Sequence, residues 1–308
     1  MNALPKLLQV DAPPIVNALT IDVEDYYQVS ALEPYIRRDN WTKIPPRVEA
    51  NTDRILALLD EHGIRATFFV LGWIAERHAD LVRRIAAAGH EVASHGYAHM
   101  RITQQSPAEF HDDVVRAKSL LEDTIGEAVK GYRAPSYSIG ATTLWALDIL
   151  DAAGYRYSSS IFPIRHDLYG MPSAPRFPFY ARAGGILEIP VTTVKIGRRK
   201  LPCGGGGYFR LLPYATFRWA LRRVNDADGR AGVFYFHPWE IDPEQPRVAG
   251  TNFKTRFRHY VNLDRMEAKI VRLLGDFHWD RMDRVFLEDA AAYSSVQPTT
   301  AAAVPTVT

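Results

Sequence analysis

Three short runs of this chain carry residue types that could close on a metal ion and move a proton: Asp22-Val23-Glu24-Asp25, Ser94-His95-Gly96-Tyr97-Ala98-His99 and His237-Pro238-Trp239. Two histidines four apart reach one ion only if the backbone between them coils, and imidazole with carboxylate ligands suits zinc or a similar divalent ion. An isolated His-x-x-x-His pair is more often structural than ligating. Here it follows a strand-like run, sits in a glycine-containing turn and is accompanied by an acidic cluster upstream, and that context favours a metal site. It is not the zinc-protease helix, because Gly96 rather than a glutamate follows the first histidine.

The acids Asp22, Glu24 and Asp25 follow Ala18-Leu19-Thr20-Ile21, a run that should be buried. Acids at the end of a buried strand are costly unless paired or metal-bound. Strand alternation puts Asp22 and Glu24 on one face. One could then ligate a metal while the other takes a proton from metal-bound water, which ionises near neutral pH. The run Gly131-Tyr132-Arg133-Ala134-Pro135-Ser136-Tyr137 offers an arginine to orient a catalytic carboxylate and keep it ionised. His237 ends the apolar run Val233-Phe234-Tyr235-Phe236 and is a candidate general acid. Taken singly, each has a plainer reading: a solvated acidic turn, a proline-containing surface turn, a core histidine. Cys203 reads as structural, since no base is suggested nearby.

Strand-like and helix-like runs alternate along the chain and must position these groups. Ala18–Val23, Ala66–Leu71, His90–Ser94, Ile186–Val191, Gly232–Phe236 and Arg284–Leu287 read as strands. Val48–His62, Ala79–Ala88, Pro107–Ile125 and Ala141–Ala153 read as helices, with Gly63, Gly89, Gly126 and Gly154 as stops and Ser106 with Glu109 as a capping box. Phe162–Arg182 reads as a long loop, and Cys203–Gly207 as a flexible turn. This alternation predicts an α/β architecture with a parallel sheet or barrel. In such barrels catalytic groups sit at the C-terminal ends of strands. Asp22, His95 and His237 all follow short apolar strands, so they can converge.

With 308 residues, 47% of them hydrophobic, a substantial core is available. A net charge of +2 gives no strong preference for nucleic acid or an anionic membrane. One cysteine excludes an intramolecular disulfide and fits a reducing compartment. The start of the chain does not read as a secretory signal, and the longest apolar run, Ala66 to Ala75, is about half the ~20 residues a membrane helix needs. A cytoplasmic protein, acting near the inner membrane and without an integral span, is the expectation. We expect a flexible leader over 1–17, a barrel over 18–237, an extension packed on it over 238–291 and a disordered tail over 292–308.

Together these motifs resemble the polysaccharide deacetylases, the NodB-homology carbohydrate esterases. A [Ser/Thr]-His-x-x-x-His motif that supplies two metal ligands is matched by Ser94, His95 and His99, and an Arg-x-Pro-x-Tyr motif by Arg133, Pro135 and Tyr137. A late Leu-x-His-type motif that supplies the general acid is matched at His237, with phenylalanine in place of the leucine one residue over. The first motif usually has two adjacent aspartates, whereas this chain has Asp-Val-Glu-Asp. The base is carried over to Asp22, and the third metal ligand is then Glu24 or Asp25, with strand alternation favouring Glu24. More narrowly, the runs Leu19–Val29 and His237–Asp242 look like the deacetylase subgroup of exosortase (PEP-CTERM) exopolysaccharide clusters, which carries an extra C-terminal region.

The resemblance implies a distorted (β/α) barrel and a zinc-dependent hydrolase that acts on carbon–nitrogen bonds other than peptide bonds. It would deacetylate amino-sugar units of a polysaccharide or oligosaccharide. Asp22, aligned by Arg133, would take a proton from metal-bound water. The Tyr137 backbone N–H would steady the oxyanion, and His237 would protonate the leaving amine. Pro135, Trp239 and Tyr26 are candidate substrate contacts. Two rivals are a metal-dependent hydrolase of a cyclic amide or ureide, and a dead barrel that only binds glycan.

Overall fold

The run Val16–Val23 is buried at every position after Val16. It forms the first strand, β1, of the computed structural model, which describes residues 14–167, 169–288 and 293. Beside it, β2 (Thr67–Val70) and β3 (Glu91–Ser94) pair parallel, followed by the two-residue strands β4 (Gly131–Tyr132) and β5 (Tyr157–Ser158). Next, β6 (Phe179–Tyr180) runs antiparallel to β7 (Leu187–Glu188), which pairs with β5. A separate hairpin joins β8 (Thr193–Ile196) to β9 (Arg199–Pro202). On the other side of β1 lies β10 (Val233–Phe236), and β11 (His278–Asp280) pairs with the start of β1. The order of the main sheet is β10-β1-β2-β3-β4-β5-β7-β6.

Nine α-helices among the described residues accompany these strands. They are α1 (Val48–Glu61), α2 (Gly72–Arg77), α3 (Ala79–Ala87), α4 (Pro107–Ile125), α5 (Trp145–Ala152), α6 (Gly206–Leu211), α7 (Tyr214–Asp226), α8 (Phe253–Tyr260) and α9 (Met266–Asp276). The result is a mixed α/β fold, a largely parallel half-barrel sheet with helices packed around it, as the strand–helix alternation predicts. The capping box at α4 is present: Ser106 Oγ accepts from the Glu109 N–H, and the Glu109 carboxylate accepts from the Ser106 N–H. Alternation along the strands splits the core. Leu19, Ile21, Phe68 and Val70 join the larger cluster, while Ala18, Phe69, Ala93 and Tyr157 form a second one. Asp22 follows Ala18 and Thr20 on that second face.

Several expectations are corrected. The helix expected from Ala141 begins at Trp145, and the strand expected over Ile186–Val191 shortens to Leu187–Glu188. Arg284–Leu287 lies in a helical turn, Asp283–Leu287, and the late strand is β11 instead. Cys203–Gly207 is a close-packed seam rather than a loose turn. Gly205 stands at φ 121°, and a Cβ there would lie 1.9 Å from the Tyr235 carbonyl oxygen, so only glycine lets this backbone press against β10. The leader expected over 1–17 overlaps β1 at Val16, and its first thirteen residues lie outside the described residues, as does the tail over 292–308 except Tyr293. Among the described residues no helix is long and apolar enough to cross a membrane.

Candidate active site

Parallel register brings the motifs to one end of the sheet. Ile21 pairs with Phe236, Val70 with Ser94, and Ser94 with Tyr132. The residues that follow are therefore neighbours in space: Asp22, His95, Arg133 and His237. This is the C-terminal edge, where strand ends and loops present side chains.

The loop after β3 coils tightly enough to turn both of its histidines inward. Gly96 adopts φ 73°, and a Cβ there would meet Asp113 Oδ2 at 2.9 Å. The same oxygen accepts from the Tyr97 N–H at 3.1 Å. His99 is held at φ 52°, and Arg38 donates to the carbonyls of Ala98 and His99. A non-glycine residue there is strained, and such strain persists only where its surroundings enforce it.

Glu24, His95 and His99 are all buried, and one ligand atom from each lies within 4.8 Å of the others. His95 Nδ1 is 2.8 Å from the Arg133 carbonyl oxygen. That contact places the proton on Nδ1 and turns the Nε2 lone pair to the cluster, a common arrangement behind metal-ligating histidines. Glu24 Oε2 lies 2.9 Å from His99 Nε2 and meets no other hydrogen-bond partner among the described residues. An imidazole nitrogen and a buried carboxylate oxygen aimed at one space fit a divalent cation between them. Burial pushes the His95 pKa down to about 4, so it is neutral as a ligand must be. Burial would raise the Glu24 pKa, but the facing histidines hold it near about 2.

Asp25 is placed elsewhere. Its Oδ2 accepts from the N–H groups of Arg47 and Val48 at the start of α1, and its Oδ1 accepts from the Tyr26 N–H. The carboxylate therefore caps a helix entry and tethers the loop after β1.

On one side of the trio, Asp22 Oδ1 accepts from Arg133 Nη1 at 2.6 Å. The arginine is 0% exposed; it also donates to Thr20 Oγ1 and to Ser159, and lies over the Phe69 ring. On the other side, His237 Nε2 faces Glu24 Oε1 at 3.4 Å and Asp22 Oδ2 at 3.9 Å. His237 Nδ1 is 3.0 Å from Glu240 Oε2, which also accepts the His237 N–H. Arg210 donates to Glu240 Oε1 at 2.7 Å and to the carbonyls of Arg258, His259 and Val261. Burial would lower the His237 pKa, but the carboxylates of Glu24, Glu240 and Asp22 outweigh it and raise it to about 9. A proton held on this imidazole suits an acid role. Neither Glu240 nor Arg210 was assigned a role from the sequence. Glu240 lies three residues after His237 and could have been suspected as a partner within one turn.

These groups open onto a cavity of about 580 Å³. Trp239 lines it, but its indole Nε1 donates to Glu24 Oε1 at 3.3 Å, and its ring stacks on His237 and His259. Of the other expected substrate contacts, Tyr26 packs edge-on against Tyr27 and Pro135 starts a short helical turn; both are buried off the cavity wall. Tyr137 lines the cavity, but its N–H donates to the Ala134 carbonyl at 2.9 Å. The oxyanion donor expected there is thus engaged within a turn that holds Ser136 and Tyr137 at φ 54° and 50°. The Tyr137 hydroxyl is buried with no hydrogen-bond partner among the described residues.

Two family models match separate parts of this chain. Residues 39–158 match the family model "Polysaccharide deacetylase", and residues 159–287 match a domain of unknown function, DUF3473. A chitooligosaccharide deacetylase from Bradyrhizobium sp. (strain ANU 289) is 34% identical over 99 residues, 32% of this chain and 43% of that protein. These findings support the polysaccharide deacetylase family. The chain spans less than half the length of the curated relatives it matches. A solved structure from Mycobacterium smegmatis, assigned as a polysaccharide deacetylase, superposes with a TM-score of 0.63 at 20% identity over 99% of both chains. The Puue allantoinase superposes at 0.57 with 17% identity over 90% of this chain and 91% of that one. At those identities the two structures speak for the fold alone.

Proposed function

We propose that this chain is a metal-dependent hydrolase that removes N-acetyl groups from amino-sugar units of a polysaccharide. The observation that carries the reading is the placement, around one cavity, of the Glu24–His95–His99 trio between an arginine-held carboxylate and a carboxylate-held histidine. The deacetylase relatives support the sugar amide as substrate.

Glu24, His95 and His99 would hold the metal, zinc in this reading, which when bound supplies a Lewis acid for the acetyl carbonyl and acidifies a water. Asp22, fixed and kept ionised by Arg133, takes a proton from the attacking water. His237, fixed by Glu240, gives a proton to the sugar nitrogen as the carbon–nitrogen bond breaks. Water is consumed, and acetate and an amine leave. The polymer we assign is an exopolysaccharide under synthesis, on the resemblance of the runs around Asp22 and His237 to the exosortase-associated subgroup.

Acetate release from N-acetylglucosamine oligomers, with added zinc and again with chelator, tests the reading. Chelator-sensitive release is expected. No release from zinc-loaded protein, together with turnover of a cyclic imide or ureide, would overturn the sugar assignment.

A further inference from the structure

One wall of the cavity takes no part in the chemistry above. Leu211, Phe253 and Phe257 line its mouth and are 49%, 84% and 46% exposed. They are three of the nine large apolar side chains exposed among the described residues, and all three line this one cavity. Phe253 and Phe257 stack with ring centres 6.3 Å apart. Contiguous exposed apolar surface of this kind marks a contact site.

Charge on the same helix narrows the partner. α8 reads Phe-Lys-Thr-Arg-Phe-Arg-His-Tyr and contains no acid. Lys254 and Arg258 share one carboxylate, Asp167, at 2.8 and 3.2 Å, and Arg256 is exposed. Three cations beside two phenylalanines match the phosphates and acyl boundary of an anionic lipid surface. Phenylalanine and leucine offer no hydrogen bond to a sugar hydroxyl. The whole chain carries a net charge of only +2, so the attraction is local to this face. The mount is rigid: Arg210 grips the carbonyls of residues 258, 259 and 261 from inside.

We propose that α8 seats the mouth of the cavity on an anionic lipid bilayer, with Phe253 and Phe257 entering the interface and Lys254, Arg256 and Arg258 meeting lipid phosphates. The glycan would then be presented to the site at the membrane surface. The docking goes beyond the deacetylase reading and does not depend on it.

Co-sedimentation of the full chain with phosphatidylcholine–phosphatidylglycerol vesicles, against phosphatidylcholine alone, tests this. Binding to the mixed vesicles, weakened by salt, is expected, with a loss of about tenfold or more in the Phe253→Ser/Phe257→Ser variant. An unchanged thermal melt of that variant shows that the loss is not unfolding. Failure of the wild-type chain to bind the mixed vesicles overturns the proposal, as does equal binding by the variant. A concentration-dependent dimer that the variant abolishes, without vesicle binding, would give the face to a second copy instead. A raised KM for soluble oligosaccharide, again without vesicle binding, would give it to glycan.

Discussion

Two buried arginine–carboxylate pairs flank the site, and they reach it over different distances. Arg133 binds Asp22 itself, the carboxylate we assign as base. Arg210 binds Glu240, and it is Glu240 that meets His237 Nδ1. Both arginines are shut away from solvent, at 0% and 2% exposure. Arg133 is braced by Thr20 and Ser159, which lie beside the strand ends, whereas Arg210 is braced by backbone carbonyls near the end of α8. The base is therefore fixed in one step by the sheet. The acid is fixed in two steps by the C-terminal half, which also carries the cavity mouth. Damage on the base side should be all-or-none, and damage on the acid side graded.

Asp22→Asn should show the larger effect. Its amide keeps the hydrogen bond from Arg133 but cannot take a proton, so acetate release should fall by about 10²–10⁴-fold. Zinc content should stay unchanged, because Asp22 lies outside the trio. Steady-state acetate release beside metal analysis reads both; surviving activity would move the base elsewhere.

The trio itself is tested by metal content. His95→Ala and Glu24→Ala should each weaken zinc binding by more than the ~100-fold that loss of an outer partner reaches. Asp25→Asn should keep the metal and lower the melting temperature, because Asp25 holds the entry to α1. Zinc retained in Glu24→Ala but lost in Asp25→Asn would reverse the assignment.

That contrast shows where sequence reasoning was sufficient and where it was not. The Ser94–His99 loop and the Arg133–Tyr137 turn are local patterns, and β1 to β3 and α4 follow from periodicity, so this half was legible. Alternation favoured Glu24 for a reason that does not hold: β1 ends at Val23, and the Glu24 N–H already turns back onto the Asp22 carbonyl. What brings Glu24 to the histidines is the turn, fixed by Asp25 on α1. Arg210 and Glu240 lie 30 positions apart, and an arginine in a short helix carries no sign that it will be buried. Their pairing depends on how α6 packs against β10 through Gly205, which no local pattern encodes.

Glu240→Gln sharpens the acid side. The amide retains shape but loses the charge that keeps His237 protonated and the acceptor that orients Nδ1. We expect kcat to fall about 10–100-fold with KM little changed, and Glu240→Asp to recover part of it. A fall in KM and kcat together with a lowered melting temperature would instead mark Glu240 as only a structural partner of Arg210.

The smallest effect should come from Trp239→Phe, which separates two ways of acting on the same site. The indole stacks on His237 and His259 and also donates to Glu24 Oε1 at 3.3 Å. Phenylalanine keeps the stacking and removes the donor. A hydrogen bond to a charged group contributes about 1.5–3 kcal/mol, and this one is long, so the low end and a roughly tenfold loss of zinc affinity are expected. Chelator competition measures it directly. If affinity holds while kcat drops, the indole works through His237, and the metal side and the acid side are coupled by packing rather than by the Glu24 hydrogen bond.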